Sequence, residues 1–113
     1  MVAFSPNMRE RLATTEPRGH ETLPVLYSRI GTAKRAAVRE QYIDLQGGLC
    51  YHCHAPLDGP CSIDVAAQFV EERRFPPFFF TRPIHLHHDH DTDLTIGAVH
   101  AHCNAVLFQY HGE

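Results

Sequence analysis

A chain of 113 residues carries one domain at most, and 43% apolar residues with frequent proline and glycine leave room for only a small core. No segment approaches the roughly 20 apolar residues of a membrane span, and Met1–Arg11 lacks the apolar stretch of a secretory signal, so a cytoplasmic, reducing setting is expected. The net charge of −3 weighs mildly against a nucleic-acid partner, but Arg29, Lys34, Arg35 and Arg39 form one basic cluster and Arg73, Arg74 and Arg82 another.

Residues 1–31, with Pro6, Pro17 and Pro24 and no hydrophobic period, read as a flexible arm with at most a short helical turn near Met8–Ala13. A helix is expected from about Thr32 to Gln46. There Val38, Tyr42 and Leu45 recur at i, i+4 and i+7, and Gly47-Gly48 ends the run. Arg35 and Arg39, four apart, share its outward face. Leu49–Pro56 reads as a tight turn around Cys50-Tyr51-His52-Cys53. Ser62 to about Arg74 is expected to form a second helix with Val65, Phe69 and Val70 inward, ended by Phe75-Pro76-Pro77. Phe78, Phe79 and Phe80 are expected to pack into the core rather than stack on bases.

Ile84–His88 alternates as a short strand with Ile84 and Leu86 on one face, and Asp89–Leu94 is a polar loop. Thr95–Val99 makes a second strand. From Ala101 to about Tyr110, Ala105, Leu107 and Phe108 fit a short helix. Strand, loop, strand and helix make a ββα unit over residues 84–111. The expected fold is therefore small α+β: a ββα unit, a metal clip and a preceding helix, with the domain spanning residues 32–113.

Seven of the ten histidines fall between positions 85 and 111. Imidazole, carboxylate and thiolate together are what a chain needs to hold a divalent metal and move a proton beside it. Cys50-x-x-Cys53 and His100-x-x-Cys103 are two knuckles of equal spacing. Cys₃His is a standard tetrahedral set for structural zinc. In a reducing setting this pattern points to zinc rather than to disulfides. His102 is an alternative to His100, and Cys61 to one of the thiolates. A full Cys₃His site has no open position, so the clip is expected to stabilise the fold and to do no chemistry.

With His100 assigned to the clip, His85, His87, His88, His90, His102 and Asn104 remain. The run Gln46-Gly47-Gly48-Leu49-Cys50-x-x-Cys53, then His87-His88-Asp89-His90-Asp91-Thr92, then His100-x-x-Cys103-Asn104, resembles an HNH endonuclease. It is most similar to the zinc-containing, endonuclease VII-like branch common in phages. The resemblance spans about Thr32 to the C-terminus and implies a ββα-metal (His-Me finger) motif. It implies His88 as general base, and His87 and Asn104 as ligands of a catalytic divalent cation. His87 stands where this branch often has Asp, His100 where it has a zinc Cys, and Asp93 where Gly is common. Thr95 occupies the place of the family's middle Asn, where its hydroxyl is expected to brace the loop. Phe108 stands where some relatives carry another metal-binding His.

The residue types suit phosphodiester hydrolysis. An imidazole with an ordinary pKa of about 6.5 can take a proton from water near neutral pH. A cation held by one imidazole and one amide would keep positions open for phosphate and water. Mn²⁺, Co²⁺ or Ni²⁺ is expected to support activity better than Mg²⁺ on such a set. Strict strand alternation would aim His87 and His88 at opposite faces, so the strand is expected to end near this pair. Asp89 or Asp91 is a candidate to accept the His88 ring N–H. His111 lies two helical turns from Asn104, roughly 10 Å along the axis, too far to share its ion.

These expectations describe a metal-dependent endonuclease that nicks or cuts duplex DNA. Arg29, Lys34, Arg35 and Arg39 are the candidate contacts to the DNA backbone. The resemblance to phage proteins implies DNA-packaging machinery as partner and the cytoplasm of a bacterial host as location. The competing reading is a non-catalytic zinc module for nucleic acid or protein, which needs the four clip residues and has no use for His88 and Asn104 together. A metal-storage or sensing protein built on the histidine cluster would not need an ordered ββα pattern.

Overall fold

The computed structural model describes residues 21–112. It is a small α+β fold. Helix α1 spans Thr32–Leu45, a single-turn helix α2 spans Ile63–Ala66, strands β1 (Ile84–His88) and β2 (Thr95–His100) form an antiparallel sheet, and helix α3 spans Ala101–His111. Short 3₁₀ turns at Tyr27–Arg29, Glu72–Arg74 and Phe79–Thr81 join these elements. No helix among the described residues is long and apolar enough to cross a membrane.

Helix α1 ends where the glycines require it. Gly47 and Gly48 adopt positive φ (68° and 80°), a conformation that costs a residue with a side chain and stops the helix. Its buried side is Val38, Gln41 and Tyr42. The expected Leu45 is instead 68% exposed. Gln41 is buried in a reciprocal pair, accepting from Glu21 N–H at 2.8 Å and donating to Glu21 C=O at 3.0 Å.

The hairpin pairs Ile84 with His100, His85 with Val99, Leu86 with Ala98 and His87 with Gly97. The register then shifts between His87 and His88, so that His88 lies opposite Thr95. That irregularity turns His88 out of strict alternation, as a bulge does. Beside β2 the turn after α1 is stitched on by Gln46, whose amide accepts from Ala98 N–H (2.8 Å) and donates to the carbonyls of Ala98 and Leu49. Tyr51 N–H adds a bond to Ala98 C=O at 2.9 Å. Gly97 makes this approach possible, because a Cβ there would lie 2.8 Å from Gln46 Oε1 and 3.0 Å from Tyr51 Cβ.

Val38 and Tyr42 of α1, Leu86, Ala98 and Val99 of the hairpin, and Ala105, Val106 and Leu107 of α3 form the core, with Leu57, Val65 and Val70 closing one side. The structure departs here from the expected second helix. The predicted helix from Ser62 to Arg74 is only the turn Ile63–Ala66, and Phe69 is 69% exposed rather than inward. The reason lies in α3. His102 Nε2 sits 3.1 and 3.0 Å from the carbonyls of Val65 and Gln68, Gln109 Nε2 and Tyr110 Oη donate to Phe69 C=O, and Gln109 Oε1 accepts Glu71 N–H. Backbone groups that would continue the helix are satisfied from outside it. Of the three phenylalanines expected in the core, Phe79 and Phe80 pack against it, and Phe78 is 76% exposed.

The described end of the expected arm also differs. Residues 21–31 are tied to the hairpin loop: Tyr27 N–H donates to Asp93 C=O, Thr95 N–H to Val25 C=O, and Val25 N–H to Thr95 Oγ1. Ser28 donates through N–H and Oγ to the Asp93 carboxylate, and Lys34 pairs with Glu21 at 3.1 Å. Residues 1–20, with the turn expected near Met8–Ala13, lie outside the described residues.

Candidate functional site

Two centres flank the start of α3. In the first, Cys50, Cys53, His100 and Cys103 bring their ligand atoms within 4.8 Å of one another. Cys50 and Cys53 sit in a turn closed by Cys50 N–H to Ala55 C=O and His54 N–H to Cys50 C=O, with His54 at a positive φ of 67°. Backbone N–H groups of His52 and Cys53 point at Cys50 Sγ, and that of Ser62 at Cys53 Sγ. Such donors stabilise thiolates. His100 Nε2–H donates to Pro56 C=O at 2.9 Å, which leaves Nδ1 to face the sulfurs, 3.5 Å from Cys53 Sγ and 3.7 Å from Cys103 Sγ. Tetrahedral zinc with ordinary bond lengths would separate such an S and N by about 3.6 Å.

A hydrogen bond from Cys103 pulls the Cys50 thiol down to about 4, against the opposing effect of burial. The same bond, with burial, pushes Cys103 well up. Three sulfurs this close cannot all ionise without a cation among them. These four side chains can hold a metal ion, and the donor set is one that structural zinc uses. Cys61 stands just outside: burial, then the neighbouring charge of Cys53, pushes its thiol up. His102, the other alternative, is occupied with the carbonyls of Val65 and Gln68.

The second centre lies on the other side of α3, against β1. The His87 ring, 1% exposed, has Nδ1 3.2 Å from Asn104 Oδ1. Asn104 Nδ2 is 3.0 Å from His85 Nδ1, and His85 Nε2 is 2.8 Å from Phe79 C=O. His88, half-buried, stacks face to face on Tyr27, with ring centroids 3.8 Å apart and an interplanar angle of 9°. The Arg35 guanidinium lies 3.9 Å from the centroid of that same Tyr27 ring and donates to Tyr27 C=O at 3.1 Å. The His90 ring is 4.7 Å from His88. Burial, followed by the charge of His90, holds the His88 imidazole below the usual histidine range. Burial does the same to His85, against the hydrogen bond to Phe79.

His85, His88, His90 and Asn104 open onto a cavity of about 560 Å³. Arg35, Arg39, Arg74 and Arg82 stand in its walls, with Tyr27, Phe75, Phe78, Phe79 and Phe108 as the aromatic lining. The four cations expected to contact DNA thus divide. Arg35 and Arg39 line the cavity, on what was read as an outward face. Arg29 and Lys34 do not line it, and Lys34 is paired with Glu21. Arg74 and Arg82, from the second basic cluster, line it as well.

Other expected site residues have local duties. Asp89 Oδ1 accepts the backbone N–H groups of Asp91 and Thr92, which lowers its carboxyl below the ordinary range; it closes the loop instead of holding the His88 ring. The ring is set by Tyr27, from a segment read as a flexible arm. Asp93 takes a positive φ of 67°, the backbone conformation that glycine adopts most easily. Thr95 is buried and braces three segments, with its Oγ1 accepting Val25 N–H at 3.0 Å and lying 2.8 Å from Tyr42 Oη. His85 and Tyr27 are the site neighbours that sequence reasoning gave no definite role. The alternation of His85 with His87 was the available signal for one, and nothing local marked the other.

The chain matches no protein-family profile, no curated protein and no solved structure.

Proposed function

We propose that the chain is a metal-dependent DNA endonuclease of the HNH type, with β1, β2 and α3 as its ββα-metal motif. The observation that carries this reading is the meeting of buried His87 with Asn104, 3.2 Å apart, where Asn104 and the neighbouring His88 stand in the wall of an arginine-lined cavity. Two ligands of one ion with bonds near 2.1 Å lie about 3 Å apart when adjacent, so the pair suits a shared divalent cation. Such an ion, when bound, supplies Lewis-acid stabilisation to the phosphate and the leaving oxygen.

The chain's own groups account for the remaining steps. Guanidinium forks of Arg35, Arg39, Arg74 and Arg82 receive the phosphate oxygens of a strand laid across the cavity. His88, kept neutral near pH 7 by burial, takes a proton from water as the water oxygen attacks phosphorus and the bond to the leaving 3′-oxygen breaks. Tyr27 fixes the plane of that imidazole. The clip keeps Cys103, and with it the adjacent Asn104, in place. A DNA-packaging partner and action in a bacterial cytoplasm belong to the same reading and rest on the sequence resemblance.

Supercoiled plasmid is the direct test. Nicking is expected with Mn²⁺ and is expected to disappear with EDTA and in His88→Ala. Undiminished nicking by His88→Ala refutes the base assignment. No nicking with Mn²⁺, Co²⁺, Ni²⁺ or Mg²⁺ leaves the zinc module as the better reading, since the clip requires none of the cavity residues.

A further inference from the structure

Both ring nitrogens of His85 are engaged, although the hydrolysis described above gives this residue nothing to do. Nε2 lies 2.8 Å from the carbonyl oxygen of Phe79, and Nδ1 lies 3.0 Å from Asn104 Nδ2. A carbonyl oxygen only accepts, so Nε2 carries the single N–H of the neutral ring and Nδ1 is an acceptor. The Asn104 group facing it is therefore the NH₂. The carboxamide oxygen is left on the opposite side, 3.2 Å from His87 Nδ1.

The two ends of an asparagine amide are almost equal in size, and only the oxygen can ligate a divalent cation. Turned over, Asn104 would offer N–H groups to the point it shares with His87. The far end of the chain of bonds is anchored: the Phe79 ring packs against Phe75 and Phe80, with centroids 4.8 Å away in each case, and meets the His85 ring edge-on at 4.5 Å. His85 is thus held by its neighbour on one side and dictates the amide on the other.

We propose that His85 is a positioning residue, which accepts from the Asn104 NH₂ while donating to Phe79 C=O and so aims the Asn104 oxygen at the cation site shared with His87. The proposal rests on the reading of His87 and Asn104 as that site. It gives His85 a role in metal binding without making it a ligand.

The test is Mn²⁺ binding to the zinc-loaded full chain, followed by the electron paramagnetic resonance of free Mn²⁺. His85→Phe keeps an aromatic ring and removes the acceptor, and it is expected to weaken Mn²⁺ binding about 10- to 100-fold, as loss of an outer hydrogen-bond partner does. His85→Asn, whose Oδ1 falls near the place of Nδ1, is expected to bind within about twofold of the parent. In an Asn104→Asp background either oxygen can ligate, so the effect of His85→Phe is expected to shrink below about twofold or to reverse. An equal loss in both backgrounds overturns the orienting role while leaving the cation site standing. Failure of the parent to bind Mn²⁺ beyond its zinc overturns the site itself, and the proposal with it. Should His85→Phe not fold, long-range ¹H–¹⁵N correlation on the parent decides: an Nε2–H tautomer at His85 is expected, and an Nδ1–H tautomer refutes the arrangement.

Discussion

Cys103 and Asn104 are consecutive on α3, yet they belong to centres of opposite character. Successive residues of a helix point about 100° apart, so one side chain enters the Cys₃His clip and the next faces β1. Four donors surround one point in the clip, with backbone N–H groups on the sulfurs and the outer nitrogen of His100 bonded to Pro56. On the β1 side His87 and Asn104 meet, and Asn104 opens onto a cavity lined by arginines, aromatic rings and the imidazoles of His85, His88 and His90. A saturated set suits stability, and an unsaturated one beside open space suits exchange of ligands. On the proposed function, the same helix turn would couple a structural anchor to a site for substrate.

Damage to the clip is expected to have the largest effect. Cys50→Ala removes one of four donors and takes from the buried sulfur of Cys103 its strongest sulfur partner. Structural zinc contributes on the order of 10 kcal/mol to folding in small zinc domains, so loss of one ligand is expected to unfold much of the chain. Zinc content by atomic absorption and the thermal melt would show this together. Retention of both stoichiometric zinc and the parent melting temperature would show that these residues are not the anchor.

Asn104→Ala is the complementary change and should separate the two centres. On the proposed function, nuclease activity is expected to fall by at least about 10- to 100-fold, whereas zinc stays bound and the melt moves by a few degrees at most. The measurements are plasmid nicking with Mn²⁺, zinc content and circular dichroism on one preparation. Loss of zinc alongside activity would mean that the centres are one unit.

Thr95→Val sharpens the account of how the cavity side is assembled. The substitution keeps the shape and removes the hydroxyl that receives Val25 N–H and meets Tyr42 Oη. A buried donor left without its partner costs about 1–3 kcal/mol. Because residues 21–31 carry Tyr27 onto His88, activity is expected to fall more than stability alone would explain. Restoration of activity by lowering temperature, with no change in the folded fraction, would locate the effect in that segment.

What the sequence made legible follows from the range of the forces involved. Helix α1, both strands and α3 are set by local period and by glycines at 47 and 48, and the clip by equal spacing within two turns. The stretch 62–74 was misread because its carbonyls are captured by His102, Gln109 and Tyr110, some 35 to 40 residues away in the chain. Residues 21–31 show no period because their bonds run to Asp93, Thr95 and Gln41. Leu45 fitted the apolar stripe, but the burial of Gln41 depends on a backbone partner that no helical period reveals. In the candidate site, His87 and Asn104 were paired by motif. The Tyr27 stack on His88 depends on that same docking of residues 21–31.

The smallest expected effect concerns the hinge between these segments. Asp93 accepts from Ser28 Oγ and N–H, and those bonds hold its carboxyl below the ordinary range. A carboxyl with a lowered folded-state pKa contributes stability that is fully present above its unfolded pKa of about 3.9 and is lost as pH falls through the folded value. Attachment of residues 21–31 should therefore loosen only on acidification below pH 4. Hydrogen exchange at the Ser28 amide is the measurement, read between pH 5 and pH 3. Asp93→Asn tolerates the same positive φ and keeps one acceptor, so it should flatten that acid response while preserving the loop. An unchanged acid response in Asp93→Asn would assign it to another group. The clip would then have to be tested as its source, since acid also protonates thiolates and histidine and releases zinc.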